Sequence, residues 1–194
     1  MIPIVTPAEM AAIDAAAPEP VEELIERAGA AVARAAVDLL GGTYGRRVVI
    51  VAGPGNNGAD GRSAATRLRR RGVRCTVVAP DVERLPAGVD LVIDAAYGTG
   101  LSRPYAFPAV PSGAAVLAVD ISSGVHGLTG ARLGAPVAAD RTITFAALKP
   151  GLVLEPGRSL AGDVVVADIG LDTGDADVDL VEGADVADWL PVRA

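Results

Sequence analysis

Val48-Val49-Ile50-Val51-Ala52-Gly53-Pro54-Gly55-Asn56-Asn57-Gly58-Ala59-Asp60 is an apolar run that opens directly onto a glycine-rich loop. An unbroken block of Val and Ile describes a strand covered on both faces, as in a parallel sheet. Gly53-x-Gly55-x-x-Gly58 after such a strand and ahead of a helix is the context in which a glycine loop binds a nucleotide phosphate. The glycines let backbone approach the phosphate, and the helix start supplies free N–H groups and positive potential. A turn using glycine for its φ angles alone is the plainer alternative. The helix is expected over residues 60–70, closed by Gly72.

Working outward, Thr6-Pro7-Ala8-Glu9 reads as a capping box with proline at the first helical position, starting a helix that reaches residue 16. A longer helix is expected over residues 21–40, with Leu24, Ala28, Ala31, Ala35 and Leu39 on one stripe and Gly41-Gly42 at its end. Downstream, short apolar runs at residues 74–79, 91–95, 115–120, 141–145 and 164–168 read as further strands. Pro104, Pro108 and Pro111 leave little room for a helix, and the glycines of residues 122–137 describe a loop. The acidic stretch 172–188 shows little pattern and is expected on the surface. The predicted architecture is α/β: a three-layer, Rossmann-like domain with a mostly parallel sheet and two N-terminal helices. It should occupy residues 1–185, with 186–194 as a tail or the start of a linker.

The 194 residues suit one domain, and 51% hydrophobic residues with only 3% aromatics imply a core of Ala, Val, Leu and Ile. A net charge of −7 argues against a nucleic-acid partner, whose affinity rests on Lys and Arg neutralising phosphates. The one basic cluster, residues 67–74, ends the helix after the glycine loop, where cations complement the helix dipole. A lone cysteine, Cys75, permits no internal disulfide and reads as a buried spectator thiol. Neither a leader peptide nor the ~18 apolar residues of a membrane span is visible, so a cytoplasmic protein is expected.

Acids close three of the strands: Asp94, Asp120 and Asp168. Ligands of open parallel sheets bind beyond the carboxyl ends of the strands, so these acids should face the glycine loop. Each alone is also an ordinary turn or cap residue. Lys149 is the only lysine, either a turn residue or a phosphate contact, and His126, the only histidine, reads as solvent-exposed. Asp81, about two dozen residues beyond Gly58, has the spacing of an acid that reads an adenosine ribose and disfavours a 2′-phosphate, or else caps a turn.

Together these stretches resemble the NAD(P)H-hydrate epimerases, the YjeF N-terminal domain family. The loop from Gly53 to Gly61 is similar to that family's GPGNNGGDG, and further anchors follow in order. They are Asp94-Ala95-Ala96-Tyr97-Gly98-Thr99-Gly100-Leu101, Ala118-Val119-Asp120-Ile121-Ser122-Ser123-Gly124 and Thr144-Phe145-Ala146-Ala147-Leu148-Lys149-Pro150-Gly151-Leu152. Glu26-Arg27-Ala28-Gly29 and Val166-Ala167-Asp168-Ile169-Gly170 fit as well. Ala59, Ser122, and His126-Gly127 depart from the family's usual residues, and the basic residue after Gly100, Arg103, is shifted by one.

The resemblance implies an isomerase that interconverts the R and S forms of hydrated NADH or NADPH. By it, Asn56, Asn57, Gly58, Ala59, Asp60, Gly98, Thr99, Gly100, Leu101, Ser102, Arg103 and Pro104 would hold the substrate. Asp120 would be the catalytic residue at the reacting ring, acting as acid and then as base. Asn57, Asp94 and Ser123 would bind a potassium ion, for which oxygen ligands are suited. A homodimer is implied, as is a fused or separate ATP- or ADP-dependent dehydratase. Two other functions share the glycine loop: an NAD-dependent dehydrogenase, drawing on His126 or Lys149 to relay protons, and a non-catalytic nucleotide-binding protein.

Overall fold

The computed structural model describes residues 1–174 and 176–189. A short strand β1 (Ile2–Ile4) leads into α1 (Pro7–Ala16), and α2 (Val21–Leu40) follows. The capping box is present: the Thr6 hydroxyl accepts the Glu9 amide at 3.2 Å while Glu9 accepts the Thr6 amide at 2.6 Å.

Strand β2 (Arg47–Ala52) opens into α3, which runs Asn56–Arg70 and so begins four residues before the position expected from the sequence. Gly55 takes an extended conformation as the N-cap, which leaves Asn56-Asn57-Gly58-Ala59 to form the first turn. The side chain of Asn57 is therefore fixed by helical backbone, not carried on a loop.

Strands β3 (Arg74–Val78) and β4 (Leu91–Ala95) come next, then a two-residue β5 (Tyr105–Ala106). After β6 (Ala115–Val119) and β7 (Gly134–Ala135) come β8 (Arg141–Phe145), the short helices α4 (Pro150–Val153) and α5 (Gly157–Ala161), and β9 (Asp163–Ala167). Six of these strands form one sheet in the order β3-β2-β4-β6-β8-β9, every neighbouring pair parallel. β3 lies on one side of β2 and the rest on the other. The sheet therefore has its topological switch point between the ends of β2 and β4, where open α/β sheets bind ligands.

Alternate residues of each strand enter different clusters. Val48, Ile50, Leu91 and Ile93 pack with Ala28, Val32, Ala35 and Ala64 beneath α2 and α3. Val49, Val51 and Val92 pack on the opposite face with Leu85, Leu101, Tyr105 and Phe107. Burying each large aliphatic side chain contributes about 1.5–3 kcal/mol, so both faces drive folding. The two helices approach closely because their contact is built of small residues. A methyl group on Gly29 would run into the Ser63 side chain. The α/β architecture is as expected, and the layer facing Val49 and Val92 is irregular chain where Pro104, Pro108 and Pro111 left little room for a helix.

The acidic tail has more structure than its sequence suggested. Strand β10 (Val178–Leu180) pairs antiparallel with β1, and α6 (Gly183–Trp189) follows. The N-terminal ammonium contacts Asp185 at 2.8 Å. Pairing between the two ends of a chain leaves no local pattern, which is why neither strand was legible. The expected boundary at residue 186 falls inside α6, and residues 190–194 lie outside the described residues. No helix among the described residues is long and apolar enough to cross a membrane.

Candidate functional site

A cavity of about 580 Å³ opens at the switch point, within the range of nucleotide and cofactor pockets. One wall is apolar, made by Met10, Val21, Leu24, Ile25, Phe145 and Ile169. The other is polar and comes from three chain segments: the start of α3, the segment after β4, and the residue after β6.

The start of α3 contributes Gly55, Asn56, Asn57 and Asp60. No side chain caps this helix, so its first N–H groups are free to meet an anion from the cavity. Arg62 donates to the Gly53 carbonyl at 2.8 Å and holds the loop from behind. Gly58 and Ala59 do not line the cavity; Gly58 packs against the Gly53 backbone, where a methyl group would overlap its carbonyl.

From the segment after β4, residues 96–103 all line the cavity, whereas Pro104 is exposed outside it. This segment is pinned at Tyr97 and at Thr99. The Ser123 hydroxyl accepts the Tyr97 amide at 2.9 Å. Asp120 accepts the Thr99 amide at 3.0 Å. Gly98 lies between: a side chain there would stand 2.7 Å from the Asp120 Oδ2 and 3.6 Å from the Asn57 amide carbon. The absence of a side chain at 98 thus lets Asp120 and Asn57 converge on one spot. At the rim, the Arg103 guanidinium lies 5.0 Å from the Tyr97 ring centroid and donates to its hydroxyl at 2.9 Å.

Asp120 stands just beyond β6 with φ +67°, a conformation that costs energy in any residue but glycine and that Asp tolerates best with Asn. Its side chain is 14% exposed and that of Lys149 only 1%, and the two form an ion pair at 3.1 Å. Thr144 adds a hydroxyl donor at 3.3 Å. Burial pushes the Asp120 carboxyl up, but the Lys149 ammonium, the Thr99 amide and the Thr144 hydroxyl outweigh it, so the group stays below the usual carboxylate range. It is a carboxylate at neutral pH. Lys149 is neither a turn residue nor a phosphate contact: its three N–H bonds go to Asp120, to Thr144 at 2.8 Å and to the Phe145 carbonyl at 2.9 Å.

Asp94 lies deeper and is fully buried. It accepts the Ser123 hydroxyl at 2.5 Å, the Ser123 amide at 2.8 Å and the Ala96 amide at 3.2 Å. Burial nevertheless pushes its carboxyl up to about 6, with these bonds pulling the other way. Both polar atoms of the Asn57 side chain are buried and have no hydrogen-bond partner. Unpaired buried amide groups are costly, so this one is built for something that binds there.

Three acids and bases singled out in the sequence lie elsewhere. Asp168 is exposed and caps the Gly170 amide at 2.7 Å, a turn residue outside the crevice wall. His126 is half-buried rather than exposed, and its Nδ1 accepts the Thr129 amide at 3.2 Å, away from the cavity. Asp81 is exposed and does not line the cavity, so the structure gives its ribose-reading role no support. Conversely, Asp14 and Glu19 do line it, although the sequence offered no strand end or glycine turn to mark them.

The family model described as YjeF-related protein N-terminus matches residues 21–87 and 79–151, which contain the start of α3, the segment after β4, Asp120 and Lys149. The chain belongs to this family. Among curated YjeF-type relatives, the bifunctional NAD(P)H-hydrate repair enzyme Nnr of Mycobacterium leprae is 42% identical over 78% of this chain and 37% of its own. The protein of the same name from Thermofilum pendens is 40% identical over 75% of this chain and 35% of its own. The NAD(P)H-hydrate epimerase of Limosilactobacillus fermentum is 36% identical over 63% of this chain and 74% of its own. The chain thus spans little more than a third of the bifunctional relatives. The crystal structure of yeast ynu0, YNL200c, superposes with a TM-score of 0.64 over 90% of this chain and 96% of that one, at 19% identity, which shows the shared fold.

Proposed function

We propose that this YjeF-family chain is an enzyme that epimerises hydrated NADH and NADPH, a step in the repair of damaged nicotinamide cofactors. The observation that carries the reading is an ionised Asp120, clamped by Lys149, Thr144 and Thr99, in a nucleotide-sized cavity beside an uncapped helix N-terminus. The free N–H groups of α3 suit the substrate's phosphates, while Asn56, Asn57, Asp60 and residues 98–103 would position the ribose and ring. The names of the Mycobacterium leprae and Limosilactobacillus fermentum proteins support the same chemistry.

The hydrated ring carbon carries a hydroxyl beside the ring nitrogen. Loss of that hydroxyl as water leaves an iminium, and water returning to the other face inverts the carbon. Asp120, held as a carboxylate, is suited to take a proton from the incoming water. It is not suited to protonate the departing hydroxyl first, because Lys149 keeps it ionised; this corrects the expectation that one residue performs both steps.

The dehydrogenase reading needs a proton relay that neither of its candidates supplies. His126 is outside the cavity and every N–H of Lys149 is engaged. Incubating one purified epimer with the protein separates the readings. Redox-neutral formation of the other epimer supports epimerisation; oxidation of the dinucleotide coupled to a carbonyl supports the dehydrogenase; tight binding alone supports a non-catalytic nucleotide-binding protein.

The proposal includes a potassium ion held by Asn57, Asp94 and Ser123. The orphaned Asn57 amide and the fully buried carboxylate of Asp94 fit a hard cation. Such an ion would tie three segments together and offset the buried negative charge. The melting temperature should therefore be higher in potassium than in a bulky organic cation, since saturation at about a hundredfold excess over Kd stabilises by about 2.7 kcal/mol. Asp94→Ala should erase the difference, and a wild type indifferent to the cation would sink the site. We further propose a cytoplasmic homodimer acting alongside an ATP- or ADP-dependent dehydratase, a pairing consistent with the bifunctional names of the relatives.

A further inference from the structure

Epimerisation by this route needs an acid as well as a base, and Asp120 is not the acid. Lys149 has no N–H left to give. Arg103 lines the rim, but a guanidinium holds its proton too tightly to donate it. The Tyr97 hydroxyl sits at the rim, where it accepts from Arg103 at 2.9 Å. Asp14 also lines the cavity and burial raises its carboxyl, but it is exposed on α1, and Glu19 is taken up by Arg27 at 3.2 Å.

Asp60 is different. It is 7% exposed, sits one turn into α3 and lines the cavity. Its carboxyl has neither an ion-pair partner nor a hydrogen bond among the described residues. The charged groups that face it are Asp120 from the end of β6, Asp14 from α1 and Arg62 on its own helix, with Lys149 and Glu19 elsewhere on the wall.

We propose that Asp60 is the general acid that protonates the departing hydroxyl, partnered with Asp120 as the base. The inference rests on the epimerase reading and adds a division of labour to it. The Asp60 O–H proton passes to the hydroxyl oxygen, the carbon–oxygen bond breaks, and its electron pair leaves with water. The ring nitrogen lone pair forms the iminium. A water then bonds to the other face of the same carbon and gives its spare proton to Asp120. The cycle closes when Asp120 returns a proton to Asp60 through solvent, with one water lost and one gained. Two carboxyls in one cavity can hold opposite protonation states because their surroundings differ. Burial pushes the Asp60 carboxyl up to about 8, with the Asp120 and Asp14 charges adding and Arg62 opposing.

The test is the pH dependence of kcat/KM for wild type and Asp60→Asn. Wild type should lose activity on an alkaline limb near pH 8, where the acid loses its proton. Asp60→Asn should lower kcat by roughly 10²–10⁴-fold, abolish that limb, and change substrate affinity only a few-fold. Infrared titration of the wild type gives a second readout that does not depend on the variant folding. A protonated-carboxyl stretch should disappear on raising pH through about 8. A wild type lacking both the limb and the band, or a variant with wild-type rate and limb, overturns the assignment while leaving the epimerase reading intact. A wild type no faster than the spontaneous reaction overturns both.

Discussion

Asp120→Asn should fold, bind the hydrated nucleotide about as tightly as the wild type, and lose roughly 10²–10⁴-fold in kcat. The amide keeps the shape of the carboxylate and can still accept the Thr99 amide, which positions residues 97–99. It cannot take a proton from water. Asn also tolerates the left-handed backbone that residue 120 adopts at φ +67°, so the loop conformation is kept, while the loss of the Lys149 counter-charge should lower the melting temperature. The measurement is kcat and substrate Kd side by side. A fall in both would mean that Asp120 organises the pocket rather than reacting in it. Near-normal turnover would remove Asp120 from the mechanism.

Lys149→Met should be the most damaging single change to stability near the site. Methionine matches the length of lysine but removes the charge that compensates the carboxylate 3.1 Å away. Breaking one side of a buried ion pair costs about 3–5 kcal/mol, because the remaining charge loses the opposite charge that compensates its burial. For a domain of this size that is a drop of roughly 10 °C in melting temperature. The loss has a diagnostic signature. Without Lys149, burial is no longer outweighed and the Asp120 carboxyl should rise, so the acid limb of activity moves to higher pH. Asp120→Asn combined with Lys149→Met should recover most of the stability but none of the turnover. If the double variant is less stable than either single one, the pair is not coupled as described.

The sheet and its glycine loop were legible because both are local. Val48 to Ala52 is apolar without a break, and Gly53 to Gly58 follows it at once. The helix start was misplaced because Asn and Gly are poor helix formers, whereas tertiary packing of Ala64, Ala65 and Leu68 holds α3 from Asn56 onward. The sequence also pointed to Asp94 and Asp120 as strand-end acids, and both converge with Ser123 and Thr99 on the segment after β4. It could not separate them from Asp168, which has the same position at a strand end but follows β9, the edge strand of the sheet. Whether an acid faces the crevice depends on strand order, and strand order is a non-local property. Lys149 was ambiguous for a related reason. Its partners Thr144 and Phe145 are close in sequence, but the carboxylate that explains its burial comes from a different strand end.

On the epimerase reading, this cavity exchanges the ring hydroxyl with solvent and inverts the carbon that bears it. The direct measurement starts from one pure epimer of hydrated NADH in water carrying heavy oxygen, with chromatography to resolve the epimers and mass spectrometry to count the label. The wild type should reach the epimer equilibrium far faster than the spontaneous reaction, and every inverted molecule should carry one heavy oxygen. Inversion without label, or a rate equal to that of the protein-free solution, would contradict it.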